Sequence, residues 1–168
     1  MDELLPHLEF GAPLEEAETT ILLMHGLGAD GHDFADVAQI LCRGAEPKKW
    51  RFVLPHAPQQ PVTINMGMVM PAWYDIIELT HPRRANWDTV SAAAKQIEQL
   101  MAREKAEKLI LAGFSQGAAL ALHVGLRNQD KVAGVLMMSG YLLASDEHPC
   151  PPKAADEFPI GLFHGTAD

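Results

Sequence analysis

Cysteine is scarce. The 168 residues hold two, Cys42 and Cys150, far apart and in no C-x-x-C arrangement, which predicts a cytoplasmic protein with reduced thiols. No apolar run approaches the roughly 18 residues of a membrane span, so no integral membrane segment is expected. The opening Met1-Asp2-Glu3-Leu4-Leu5-Pro6 carries acids where a secretory signal would carry bases. Bases are outnumbered throughout, 13 against 22 acids for a net charge of −9. That argues against nucleic acid as a partner, and against an anionic membrane surface held by charge alone. There is no H-E-x-x-H or similar ligand cluster, so no metal and no cofactor is expected. Asn-x-Ser/Thr sequons, repeats and low-complexity tracts are also missing. What remains, 48% hydrophobic and 21% charged residues, is the composition of a soluble globular domain. Residues 1–168 are read as one domain with a real core.

The most informative stretch is Gly113-Phe114-Ser115-Gln116-Gly117. It fits G-x-S-x-G, and its flanks give the match meaning. Leu109-Ile110-Leu111-Ala112 before it reads as a buried parallel strand; Ala118 to Leu122 after it is rich in helix formers. Strand, tight turn and helix make a nucleophile elbow, with Ser115 on a strained corner and glycines where side chains would clash. The helix N-terminus behind the serine favours an oxyanion formed there. A plain Gly-Ser turn is the rival reading.

Upstream, Leu4, Leu5, Leu8 and Phe10 suggest an edge strand or hairpin, and Thr20 to Met24 a buried strand. The latter runs into His25-Gly26-Leu27-Gly28-Ala29-Asp30-Gly31. Gly26, Gly28 and Gly31 satisfy the G-x-G-x-x-G spacing, but no acidic residue closes a second strand about 20 residues on, where a ribose contact belongs. The better reading is a loop whose backbone N–H groups face the reaction site. A helix is predicted from Asp33 to about Cys42, then a strand over residues 51–55. His56 to Pro61 reads as too proline-rich to be regular. Residues 62–75 read as an apolar, methionine-rich loop. Core packing and a wall for an acyl chain, carried by Met66, Met70 and Trp73, are both open for it. A helix capped by Asn86 or Asp88 runs to about Lys105, with Val90, Ala94, Ile97, Leu100 and Met101 as its apolar face. Residues 132–138 and 158–163 are further strands, with a proline-bearing loop between them.

Apolar strands alternating with amphipathic helices imply an α/β fold, a mostly parallel sheet covered by helices on both faces. The glycine-bearing loops at 25–28, 113–117 and 164–168 then gather at the carboxyl ends of the strands, where such folds place their chemistry. A serine nucleophile needs a base, and the base needs a carboxylate. Asp168 follows a strand in a tight turn, as the acid should, and α/β-hydrolases place the histidine after it. His164 precedes Asp168. His25 adjoins the glycine loop in a structural role, and His123 points away from the site. The base is therefore expected beyond Asp168, in a further stretch with one more strand and a closing helix. Without that strand and helix, the edge bearing Phe158, Ile160 and Leu162 would be uncovered.

These segments resemble the phospholipase/carboxylesterase family of α/β-hydrolases, which includes acyl-protein thioesterases and small carboxylesterases. The resemblance runs through His25 to Gly31, Pro55-His56-Ala57-Pro58, Pro61-Val62-Thr63-Ile64-Asn65, Met70-Pro71-Ala72-Trp73-Tyr74-Asp75, the Ser115 elbow, and His164-Gly165 with Asp168. It spans nearly the whole chain in the family's order. It implies Ser115 as nucleophile, Asp168 as triad acid, and the N–H groups of Leu27 and Gln116 as the oxyanion hole. It also implies a small-molecule or acylated-protein ester as substrate, and a homodimer is compatible with it. Met66 stands where a glycine is usual, and Ala118 where a further glycine is common. The rival from another class is a non-catalytic binding module that keeps the pocket and lacks the base.

Overall fold

A computed structural model of the chain describes residues 4–44, 49–80, 82–150 and 158–167. Its centre is a six-stranded sheet. In chain order the first elements are β1 (His7–Gly11), β2 (Thr19–Met24), a 3-10 turn over Gly31–Phe34, α1 (Ala35–Gly44) and β3 (Trp50–Pro55). Then come β4 (Gln59–Val62), a 3-10 turn over Thr63–Asn65, β5 (Met68–Pro71), β6 (Ile76–Glu78), β7 (Arg84–Ala85) and α2 (Trp87–Arg103). The last are β8 (Lys108–Phe114), α3 (Gln116–Arg127), β9 (Gly134–Met138) and β10 (Ile160–Phe163). The sheet order is β1-β3-β2-β8-β9-β10. Every neighbouring pair is parallel except β1 with β3, so the antiparallel strand sits at one edge.

The strands are apolar on both faces because helices cover both. On β2 and β3, Leu22, Met24 and Val53 join a core with α2 and α3; Ile21, Leu23, Phe52 and Leu54 turn the other way, onto Ala38 of α1. This is the two-residue alternation of a strand serving two cores. α2 has a one-sided pattern and buries Val90, Ala93, Ile97, Leu100 and Met101, with Asn86 capping it by accepting the Asp88 N–H. Ala93 takes the fully buried place expected of Ala94, which is only partly covered. α3 is apolar around its circumference and is buried without a break from Gln116 to Gly125. β10 is the outer strand of the described sheet, and its Ile160, Leu162 and Phe163 are exposed.

Two expectations need correction. The first helix starts as a 3-10 turn at Gly31, and its α-helical part begins at Ala35. The segment read as an irregular proline stretch and a long loop is instead an antiparallel hairpin, β4 against β5, with Pro61 opposite Val69. In a two-stranded ribbon each strand is an edge, so the N–H that proline lacks need not face a partner. Met66 and Gly67, both with positive φ, close the turn. Asp75 then fastens its base by accepting from the Thr63 N–H and hydroxyl, each at 2.7 Å.

Candidate active site

Ser115 joins β8 to α3 with φ 52° and ψ −113°, a conformation that costs a non-glycine residue on the order of 1–3 kcal/mol. The neighbours hold it there. Its N–H donates to the Met138 carbonyl at 2.9 Å, tying the elbow to the end of β9. A Cβ on Gly113 would lie 2.3 Å from the Gly117 carbonyl group, and one on Gly117 would lie 2.3 Å from the Met24 carbonyl oxygen. The two glycines let β8, β2 and α3 close on one another beneath the serine.

Gln116 opens α3, so its main-chain N–H is one of the first-turn donors with no acceptor inside the helix. Its side chain is buried and doubly engaged: Oε1 accepts the Trp73 N–H at 2.9 Å, and Nε2 donates to the Tyr74 carbonyl at 2.7 Å. Across the cleft, β2 ends in the loop holding Leu27. Gly28 N–H donates to the Pro71 carbonyl at 2.8 Å and Ala29 N–H to Gly26, whereas the Leu27 N–H has no backbone acceptor among the described residues. The segment 71–74 therefore grips both halves of the oxyanion hole expected at Leu27 and Gln116.

His25 is wholly buried and both ring nitrogens are committed. Nε2 accepts the Ala57 N–H at 3.1 Å, so the proton lies on Nδ1 and is donated to the Gly26 carbonyl at 2.7 Å. Burial holds its pKa below the usual imidazole value, against an opposing pull from that carbonyl. A neutral ring with no spare lone pair cannot accept the serine proton; His25 shapes the loop, as expected. His123 is equally unsuited. Burial first, then the Arg127 charge, lower its pKa to about 4, and Arg127 Nη1 donates to its Nδ1 at 3.0 Å.

Ser115 opens into a cleft of about 470 Å³ lined by Arg83, Phe114, Ser139, Gly140, Tyr141 and His164. His164 is thus the histidine that shares the cleft with Ser115 among the described residues. Asp168 lies outside the described residues. Met66, Met70 and Trp73 are not on the cleft's described lining. Met66 is 94% exposed at the hairpin tip, Met70 is half-buried beside the Pro71 that holds Gly28, and Trp73 is buried under His25. Sequence reading missed Arg83 and Tyr141, which come from loops remote in the chain and carry no local motif. The one available hint was a pair of adjacent arginines in an acidic chain.

Asp30, His32 and His56 place one ligand atom each within 4.8 Å of the others, close enough to suggest a metal site. However, His56 Nδ1 accepts the Gly31 N–H at 3.1 Å, so Nε2 carries the proton. Either nitrogen would have to give up that arrangement before it could ligate.

The sequence profile described as Phospholipase/Carboxylesterase matches residues 6–168. Acyl-protein thioesterase 1 of Gibberella zeae is 35% identical over 162 residues, covering 89% of this chain and 69% of that protein. The protein of that name from Yarrowia lipolytica is 33% identical over 171 residues, covering 97% and 75%. Among solved structures, Zea mays acyl-protein thioesterase 2 matches with a TM-score of 0.68 at 26% identity, over 82% of this chain and 62% of that one. The chain thus spans 62–75% of the length of these relatives.

Proposed function

The chain belongs to the phospholipase/carboxylesterase family of α/β-hydrolases, hydrolases acting on esters or thioesters, and from that premise we propose that it cleaves a carboxylic ester or thioester through Ser115. The strained elbow carries this reading. A serine held at positive φ between two glycines that admit no Cβ, over a helix N-terminus, is a costly arrangement whose use is to present Oγ. Oγ attacks the carbonyl carbon and its proton passes to a base. The oxyanion rests on the N–H groups of Leu27 and Gln116, each contributing about 3–4 kcal/mol at the transition state. The tetrahedral intermediate collapses, the alcohol or thiol leaves with the proton, and water then releases the acid from the acyl-serine.

In this reading residues 1–168 belong to a single catalytic domain. Asp168 orients the base, and the base is a histidine outside these residues. The commitments of His25 and His123 support that assignment. An acyl chain that leaves the described cleft along the hairpin would meet Met70, beside the oxyanion loop, and a longer one Met66; Trp73 supports that loop from beneath. The substrate is a small-molecule or acylated-protein ester. Labelling with a fluorophosphonate tests the nucleophile, since only an activated serine reacts readily. Adduct on Ser115, lost in Ser115→Ala, is the expected result; no labelling would favour a binding module.

One observation favours a second assignment of the base: His164 lines the Ser115 cleft. His164→Ala in the full-length protein decides between them. If His164 is the base, turnover drops to the residual about 10³–10⁴-fold over water that survives loss of a triad member. If the base lies elsewhere, most turnover persists.

A further inference from the structure

Arg83 stands on the wall of the cleft into which Ser115 opens. Its guanidinium carbon lies 4.2 Å from the centre of the Tyr141 ring. Tyr141 is itself held, its hydroxyl 2.6 Å from that of Tyr74. A guanidinium is attracted to an aromatic face, so the ring fixes the place of the charge. The guanidinium also hydrogen-bonds the Tyr141 side chain, while the Nε of Arg83 is buried and has no hydrogen-bond partner among the described residues. Its neighbour Arg84 differs: it is exposed and paired with Glu78 at 2.9 Å. No carboxylate is paired with Arg83 among the described residues, and the described lining of the cleft contains none. In a chain of net charge −9, the described wall of the cleft thus carries a cation and no anion. A desolvated charged donor without an acceptor is unfavourable, and an anion in the cleft would supply the acceptor.

We propose that Arg83 is an anion-recognition residue, and that the preferred substrates are esters or thioesters bearing a carboxylate or phosphate-type group within reach of the scissile carbonyl. The proposal rests on Ser115 as the nucleophile of an ester hydrolase. Arg83 binds the charged group, Tyr141 holds the guanidinium in place, and the carbonyl is thereby set over Ser115. The group's charge is unchanged in the reaction, so binding it is a matter of specificity, not of bond making.

The test compares three p-nitrophenyl esters with a common leaving group: butyrate (neutral), the glutarate hemiester (carboxylate) and 4-phosphonobutyrate (phosphonate). In the full-length enzyme, kcat/KM for at least one anionic ester should exceed that for butyrate by about tenfold or more, the scale of one charge-assisted hydrogen bond. Which anionic ester leads identifies the group. Arg83→Ala should depress the anionic ester at least about tenfold more than butyrate, and Arg83→Lys should recover only part of the difference, because a lysine does not stack or fork. Equal treatment of the three esters by the wild type would overturn the proposal. So would an equal loss on all three in Arg83→Ala, which would make the arginine a prop for Tyr141. If no ester is turned over, the hydrolase reading fails separately. Arg83 is then judged by the thermal shift with free glutarate and inorganic phosphate: a shift in the wild type that Arg83→Ala abolishes retains the anion site, and no shift removes it.

Discussion

The indole N–H of Trp73 donates to the main-chain carbonyl of His25 at 2.8 Å, and the two rings lie 5.0 Å apart. Trp73 also gives its own N–H to the side chain of Gln116. One buried residue is thus bonded to the loop of Leu27 and to the residue that opens α3, the two proposed sources of oxyanion donors. Trp73→Phe keeps an aromatic side chain but removes the indole donor, leaving the buried His25 carbonyl without that hydrogen bond. The expected loss is about 1–3 kcal/mol of stability. Turnover measured well below the melting temperature should fall about tenfold or more, because the Leu27 N–H would lose its fixed position. Normal turnover in a destabilised variant would reduce Trp73 to a packing residue.

Gly117→Ala is expected to damage the elbow itself. The new Cβ would meet two main-chain oxygens, Met24 at 2.3 Å and His25 at 2.5 Å. Backbone cannot step aside as a side-chain tip can, so the cost should reach the upper end of the about 1–3 kcal/mol seen for overpacking. Chemical denaturation measures the stability, and fluorophosphonate labelling of the folded fraction measures Ser115. A variant as stable as the wild type would contradict the packing described here.

Stability should fall on mild acidification, and His123 is one named cause. Its folded-state pKa of about 4, set chiefly by burial and then by Arg127, lies below the ordinary imidazole value of 6.5. Between those limits the unfolded chain holds a proton that the folded one does not, so the contribution is complete above about pH 6.5 and drains away toward pH 4. His25, also depressed by burial, acts in the same direction. His123→Gln should flatten the dependence of melting temperature on pH by up to one proton's worth. Parallel curves for variant and wild type would exclude His123 as a contributor.

Met70→Asp addresses the hairpin. If Met70 meets the acyl chain, KM should rise more for octanoate than for acetate esters, since each buried methylene contributes roughly 0.8 kcal/mol. Equal effects on both chain lengths would assign Met70 to support of the Pro71–Gly28 contact.

The sequence by itself determined the alternation of apolar strands and amphipathic helices, and with it the two-faced parallel sheet. It also determined the elbow, because a strand, a G-x-S-x-G turn and helix formers are contiguous, and contiguous residues constrain one another locally. The structural role of His25 could be argued from its place beside the glycine loop. Tertiary structure decided what depends on residues distant in the chain. Gln116 reaches Trp73 and Tyr74 across 43 and 42 positions, and no periodicity encodes that. The fold of residues 59–71 also turned on pairing: their prolines and glycine suggest a loop until β4 meets β5 and an edge strand tolerates Pro61. Arg83 and Tyr141 reach the cleft on loops from opposite sides of α2, β8, α3 and β9. Only the packing of those elements sets the Arg83 charge on the wall of the cleft that holds Ser115.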